Sequence, residues 1–241
     1  MLPREVNERV NSMKRQGKPN EKSTGRVIRE IDNSGNELVN LLRELVRIRT
    51  VNPPGENYVE CANLLSRRFK EVGMNTNLIE VPETDLRKNG VELPRVSVLS
   101  MLKGATSNKT LHINGHYDVV PTAPGWTFDP FGGTVSDGKM YGRGTTDMKC
   151  GIVAMIIAVT AMLRSGVKLD GDLTMSATPD EETGGDLGAG FLVKNGFIKG
   201  DSTIVAEGSR FNEVALAHKG AFWLEVKTIG KSAHGSSPGL G

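Results

Sequence analysis

Long apolar runs, cysteine and a surplus of either charge are all scarce in this chain of 241 residues. The longest stretch without a charged residue is the fourteen residues from Cys150 to Leu163, between Lys149 and Arg164; a bilayer-spanning helix needs about 18 or more. No membrane segment is expected, and the stretch suits a buried core helix. The charges nearly cancel, 30 Lys+Arg against 28 Asp+Glu for a net +2, so the basic excess of a nucleic-acid binder is missing. Two cysteines, Cys61 and Cys150, are too few for a disulfide framework and fit a reducing compartment. The polar opening MLPREVNERVNSMKRQGKPNEK holds no apolar run that serves as a secretory signal, so a cytoplasmic protein is expected. No internal repeat is visible.

What remains is ordinary globular material. Hydrophobic residues make up 37% and glycine contributes 29 positions, a composition that argues against whole-chain disorder. Residues 1–25 lack apolar periodicity and read as a mobile or loosely helical arm. From Gly35, Leu38, Leu41, Leu42, Leu45 and Val46 fall at helical spacing, giving one apolar stripe. Asn52, Pro53, Pro54 and Gly55 break that helix, because paired prolines deny it donors and αR geometry. A second amphipathic helix is expected from about 56 to 72, closed by Gly73. Strand-like runs follow at 75–81, 96–102 and 110–115, then a glycine-rich loop from Gly125 to Gly151, a helix over about 148–165 and a strand at 172–178. A helix near 187–195 and a strand at 202–207 complete the alternation. The fold class is therefore α/β with a largely parallel sheet, whose ligand sites lie at the carboxyl ends of strands.

The residues able to do chemistry gather at such ends. His116 and Asp118 follow the third strand, Glu181 and Glu182 follow DLTMSAT, and Glu207 follows STIVAE. A histidine with an aspartate two residues on can turn one ring nitrogen to a metal while the carboxylate orients the ring from behind; a hydrogen-bonded histidine at a strand end is the plainer alternative. Asp147, at a helix start, is favourably placed against the helix dipole or serves as an ordinary cap. Glu181 and Glu182, beside Asp180, fit a solvated turn equally well. Taken together, one histidine and carboxylates at 147, 182 and 207 can converge on divalent cations such as zinc. A two-metal hydrolase needs one more carboxylate to take a proton from water, and adjacent Glu181 and Glu182 can divide those duties.

In order, NGHYDVVP, WTFDPF, DGKMYGRGTTDMK, PDEETGG, AEGS and GKSAHGSSP resemble the dinuclear zinc peptidase and deacylase family of acetylornithine deacetylase, succinyl-diaminopimelate desuccinylase, aminoacylase and glutamate carboxypeptidase. The resemblance runs from about residue 50 to the last residue. It implies a zinc-exopeptidase-like catalytic domain over 26–219, following the arm of 1–25, and the start of a small α/β dimerisation or lid domain over 220–241. It implies hydrolysis of the amide bond of an N-acyl amino acid or small peptide, with a carboxypeptidase or dipeptidase activity as the alternative within the family. Two divalent ions are implied, zinc before cobalt or manganese, with a small-molecule substrate and a homodimer through the lid.

Carried over by matching motif, His116 and Glu207 bind the first metal, Asp118 orients His116, Asp147 bridges both metals, and Glu182 binds the second. Glu181 is the general base and later acid for metal-activated water. His234 matches the lid histidine that steadies the oxyanion in the partner's site, or else is a turn histidine facing solvent.

Two positions depart from the family pattern: Gly208 stands where proline usually follows the ligand, and Cys150 where glycine is frequent. Cys150 is expected to pack as a small hydrophobe rather than join a metal. The family's return to the catalytic domain, with its last metal-binding histidine, is not in the sequence. The four histidines are His112, His116, His218 and His234, and neither of the last two is a good substitute. The chain is therefore expected to be truncated, with the second metal site incomplete. A catalytically silent fragment that binds metal or pairs with other subunits is the competing reading.

Overall fold

The computed structural model describes residues 21–208 and, beyond them, 214, 215, 217, 220, 224–227 and 229–240. The chain divides into two compact units, one running to Gly208 and the other from Ser209 to Gly241. In the second unit the described residues contain one short 3-10 turn, Pro238–Leu240.

The first unit opens with helices α1 (Glu21–Asn33) and α2 (Gly35–Arg47), followed by α3 (Tyr58–Glu71) and strand β1 (Asn75–Glu80). Then come α4 (Glu83–Lys88), β2 (Val96–Leu102), β3 (Thr110–His116), the hairpin β4 (Thr134–Ser136) and β5 (Lys139–Tyr141), and α5 (Lys149–Arg164). β6 (Asp172–Thr178), a 3-10 turn at Glu181–Thr183, α6 (Ala189–Lys194) and β7 (Ser202–Val205) close the unit. α1, α4 and the hairpin are elements that apolar periodicity does not announce. β7 stops two residues short of the expected strand.

The five-stranded sheet has the order β1-β2-β6-β3-β7. β3 pairs parallel with both β6 and β7, while β2 runs antiparallel to both β1 and β6, so four of the five strands point the same way. β3 and β6 are in register through His116 opposite Thr178, and Asn114 lies opposite Val205. The parallel trio therefore delivers His116, the turn after Thr178, and Glu207 to one edge of the sheet.

The strand alternation sorts two faces. Leu173, Met175 and Ala177 of β6 join Val96, Val98 and the apolar side of α3 and α5 in the main core. α5 is apolar nearly all round and is buried along most of its length, with Ile152, Val153, Ile156, Ile157 and Val159 inside, as the uncharged stretch predicts. Each such side chain contributes about 1.5–3 kcal/mol when fully removed from water. The opposite face carries Ser97, Thr174, Ser176, Thr178 and His112, all buried and polar. The start of α5 is pinned to the end of α2 by Lys149, whose Nζ donates to the carbonyls of Leu45 and Ile48 at 2.8 and 2.9 Å, a cation set against a helix C-terminus. Burial pulls that amine down to about 8.

Candidate metal centre

His116 is the last residue of β3 and is 2% exposed. Its position is fixed on both sides: Tyr117 N–H continues the ladder to Thr178 O, Val119 N–H donates to Thr50 O, and Asn52 N–H donates to Val119 O. Thr50 Oγ1 donates to Tyr117 O at 2.5 Å. The ring sits with Nδ1 against Asp118, 3.1 Å from its carbonyl and 3.3 Å from Oδ1. Nε2 faces the other way. It lies 3.1 Å from Asp147 Oδ1, 3.3 Å from Glu207 Oε2 and 3.6 Å from Glu181 Oε2.

Asp147 reaches this point because α5 approaches β7 closely. A Cβ on Gly151 would run into the carbonyl oxygen of Ala206, so only glycine lets the helix start lie against the strand that carries Glu207. Asp147 is not the helix cap: that place belongs to Met148, which makes no side-chain cap bond. Glu207 has a second tie, since Gly208 N–H donates to its Oε1 at 2.9 Å. A proline at 208 has no such donor. Glu181 and Glu182 sit in the 3-10 turn after β6, and their amides donate to Asp118 Oδ1 and Oδ2 at 3.2 and 3.1 Å.

Among the described residues, ligand atoms of His116, Asp147 and Glu207 all lie within 4.8 Å of one another. An imidazole nitrogen and two carboxylates, half open to solvent, are a donor set suited to a divalent cation. The second-row geometry fits as well, because Asp118 holds Nδ1 and leaves Nε2 to point at the carboxylates.

The electrostatics show the same convergence. Burial opposes a charge on His116, but hydrogen bonds to Asp118 and Glu207 outweigh it and lift the ring to about 11. Burial raises Glu181, reinforced by Asp118, Glu207 and Asp147. Burial and then Asp147 raise Glu182 to about 7. Burial also pushes Glu207 up, yet the His116 and Gly208 hydrogen bonds hold it below the ordinary carboxylate value.

Of the residues singled out in sequence, His116, Asp118, Asp147, Glu181 and Glu207 meet here, with Glu182 held beside them through its amide on Asp118. Cys150 donates to Thr146 O at 3.1 Å and is no member of the cluster. His234 belongs to the second unit, where its Nδ1 accepts from Ser236 N–H at 3.3 Å and lies 2.9 Å from Ser236 Oγ. His218 lies outside the described residues. Asn52, Arg95 and Thr183, which bond into the cluster from behind, were not singled out. Asn52 lies in the quoted loop Asn52–Gly55, and its only sequence signal is the proline pair after it.

Residues 112–230 match the family described as Peptidase family M20/M25/M40. Over those residues the chain is similar to that family. It is similar to a probable succinyl-diaminopimelate desuccinylase of Staphylococcus epidermidis, 34% identical over 210 residues that are 86% of this chain and 48% of that protein. An uncharacterized metallohydrolase of Methanocaldococcus jannaschii is 31% identical over 215 residues, 84% of this chain and 52% of its own. Among solved structures, a di-peptidase of Saccharomyces cerevisiae superposes with a TM-score of 0.64 at 25% identity, covering 75% of this chain and 40% of that one. Human carnosine dipeptidase 1 gives 0.62 at 26%, with the same two coverages. The chain spans about half the length of the curated relatives it matches. No helix among the described residues is long and apolar enough to cross a membrane.

Proposed function

We propose that this chain belongs to a metal-dependent amidohydrolase that cleaves the amide bond of an N-acyl amino acid or small peptide. The carrying observation is the convergence of His116 Nε2, Asp147 and Glu207 with Asp118 behind the ring. His116, Asp147 and Glu207 hold the first divalent cation in this reading, and Asp147 and Glu182 reach toward a second. Zinc is the preferred ion, ahead of cobalt or manganese. When bound, such a cation supplies an acidified water and polarises the scissile carbonyl.

The remaining work falls to the chain's own groups. Glu181, raised by burial and by three neighbouring carboxylates, accepts the proton of the attacking water and passes it to the departing amine nitrogen. Asp118 keeps the His116 ring oriented. His234 accepts a backbone N–H at Nδ1, which places the proton of the neutral ring on Nε2; that supports a donor role at an oxyanion across a homodimer formed through residues 220–241. The desuccinylase name of the relatives supports a deacylase, and the dipeptidase structures favour peptide cleavage as the second reading.

The deciding experiment compares metal content by elemental analysis with hydrolysis of N-acyl amino acids. Glu181→Ala is expected to keep its metal and lose turnover, and Glu182→Ala to lose affinity for the second ion. Equal metal loss in both variants would sink the division of roles.

A further inference from the structure

Asp118 is more than the support of one histidine. Its carboxylate is fully buried and accepts three N–H groups, Glu181 N on Oδ1 and Glu182 N and Asn52 Nδ2 on Oδ2, the last at 2.9 Å, while Oδ1 lies 3.3 Å from His116 Nδ1. Two consecutive peptide amides on one carboxylate mean that the turn bearing both glutamates is fastened to the same group that orients the ring. Among the described residues, Asn52 is the only side chain tied to both ends of this arrangement. Its Nδ2 also donates to Thr183 Oγ1 at 2.9 Å, at the far end of the 3-10 turn, and Thr183 in turn donates to Asp180 Oδ1 at 3.0 Å.

The Asn52 amide cannot flip, because Arg95 Nη2 donates to its Oδ1 at 3.4 Å. Arg95 is itself locked: Nε pairs with Asp180 Oδ1 at 3.1 Å with both side chains nearly buried, and Nη1 donates to the carbonyls of Pro54 and Leu93. The Asn52 side chain is 1% exposed and uses both donor protons and its oxygen, so it leaves nothing free to touch a substrate. Buried amides whose hydrogen bonds are all satisfied and directional act as fixed spacers.

We propose that Asn52, oriented by Arg95, is a positioning residue that sets Glu181 and Glu182 relative to His116 by bridging Asp118 and Thr183. This rests on the roles given to the two glutamates under the proposed function. Removing the bridge leaves the ligands of the first cation in place and frees the turn. It therefore acts on the glutamates and not on the ring nitrogen that meets the cation.

The test is amide hydrogen exchange by NMR on the metal-free chain, followed by zinc titration of the same samples. In Asn52→Ala, exchange at the Glu181 and Glu182 amides is expected to rise several-fold, with Met175 and Ala177 of β6 unchanged. Affinity for the second zinc, toward which Glu182 reaches, is expected to fall about tenfold, the low end for loss of an outer-sphere partner, with the first zinc unchanged. Thr183→Val, which removes one hydroxyl and preserves shape, is expected to give the same local effect in smaller measure and serves where Asn52→Ala fails to fold. Unchanged exchange at Glu181 and Glu182 in a folded variant overturns the proposal. Should the unaltered chain bind no zinc, the metal reading falls while the exchange measurement still decides the positioning role.

Discussion

His112 sits on β3 with its side chain on the polar face of the sheet, 2% exposed, its Nδ1 2.8 Å from Thr174 Oγ1 and its Nε2 2.9 Å from Ser176 Oγ. Asn114 Nδ2 donates to the same Ser176 oxygen at 2.8 Å, which leaves the serine its own proton to give to Nε2. These contacts suit a neutral ring with its proton on Nδ1 directed at Thr174. A second ring proton would meet a serine hydroxyl that has lost its acceptor. Burial accordingly lowers the ring from 6.5 to about 4. The unfolded chain takes up this proton below pH 6.5 and the folded chain does not until about pH 4, so the contribution is intact above pH 6.5 and is lost as pH falls through that window. Between pH 7 and pH 5 the loss amounts to about 2 kcal/mol. The perturbation is His112→Gln, which fills similar space and does not titrate. Urea unfolding followed by circular dichroism at both pH values gives the change in stability for each protein, and the groups of the metal centre contribute equally to both. The unaltered chain is expected to lose about 2 kcal/mol more than the variant. Equal losses, within about 0.5 kcal/mol, would refute the neutral buried ring, as would an NMR titration of His112 with its midpoint near 6.5.

Two further outcomes follow from the centre. Gly151→Ala drives a Cβ into the Ala206 carbonyl, and is expected to cost about 1–3 kcal/mol in urea unfolding and to lower zinc affinity by separating Asp147 from Glu207; a variant as stable and as tight as the parent would contradict the close approach. Zinc is expected to stabilise the chain by about 2.7 kcal/mol at a concentration one hundred times its Kd. At one fixed zinc concentration the gain should be larger at pH 8 than at pH 6, because His116, held up to about 11, and Glu182, at about 7, must both lose protons to coordinate. A pH-independent gain, read from thermal melts, would count against these ligands.

The elements legible in the sequence are those whose side chains repeat. The stripe from Leu38 to Val46, the uncharged run of α5 and the alternation of DLTMSAT return as α2, α5 and the central strand β6 with the expected bounds or nearly so. The parallel trio then follows from chain order, and it puts the ligand candidates on one edge without any knowledge of their contacts. The β4–β5 hairpin lies inside the glycine-rich stretch, where its signal is short but present. Asp137 and Gly138, at φ 50 and 72, make the two-residue turn that an Asp-Gly pair favours. α4 is silent for another reason: six residues with one buried leucine carry no period to detect.

What no pattern discloses is the second layer around His116. Asn52, Arg95 and Asp180 come from three segments separated by up to 128 positions in the chain, and each is a polar residue of a kind that loops commonly contain. Their meaning arises only when the fold removes them from water. An arginine and an aspartate 3.1 Å apart and nearly buried must satisfy every remaining donor or the pair costs more than it returns. Here three of the four remaining N–H groups go to Pro54, Leu93 and Asn52. The demand for satisfied hydrogen bonds thus connects the proline loop to the glutamate turn, and the turn to Asp118. The cluster of negative charge at the sheet edge is affordable on the same terms. Asp118 is solvated by three N–H groups with the His116 ring beside it, while Asp147, Glu181 and Glu207 keep partial exposure. The charge left uncompensated therefore faces outward, beside the one ring nitrogen able to share it with a cation.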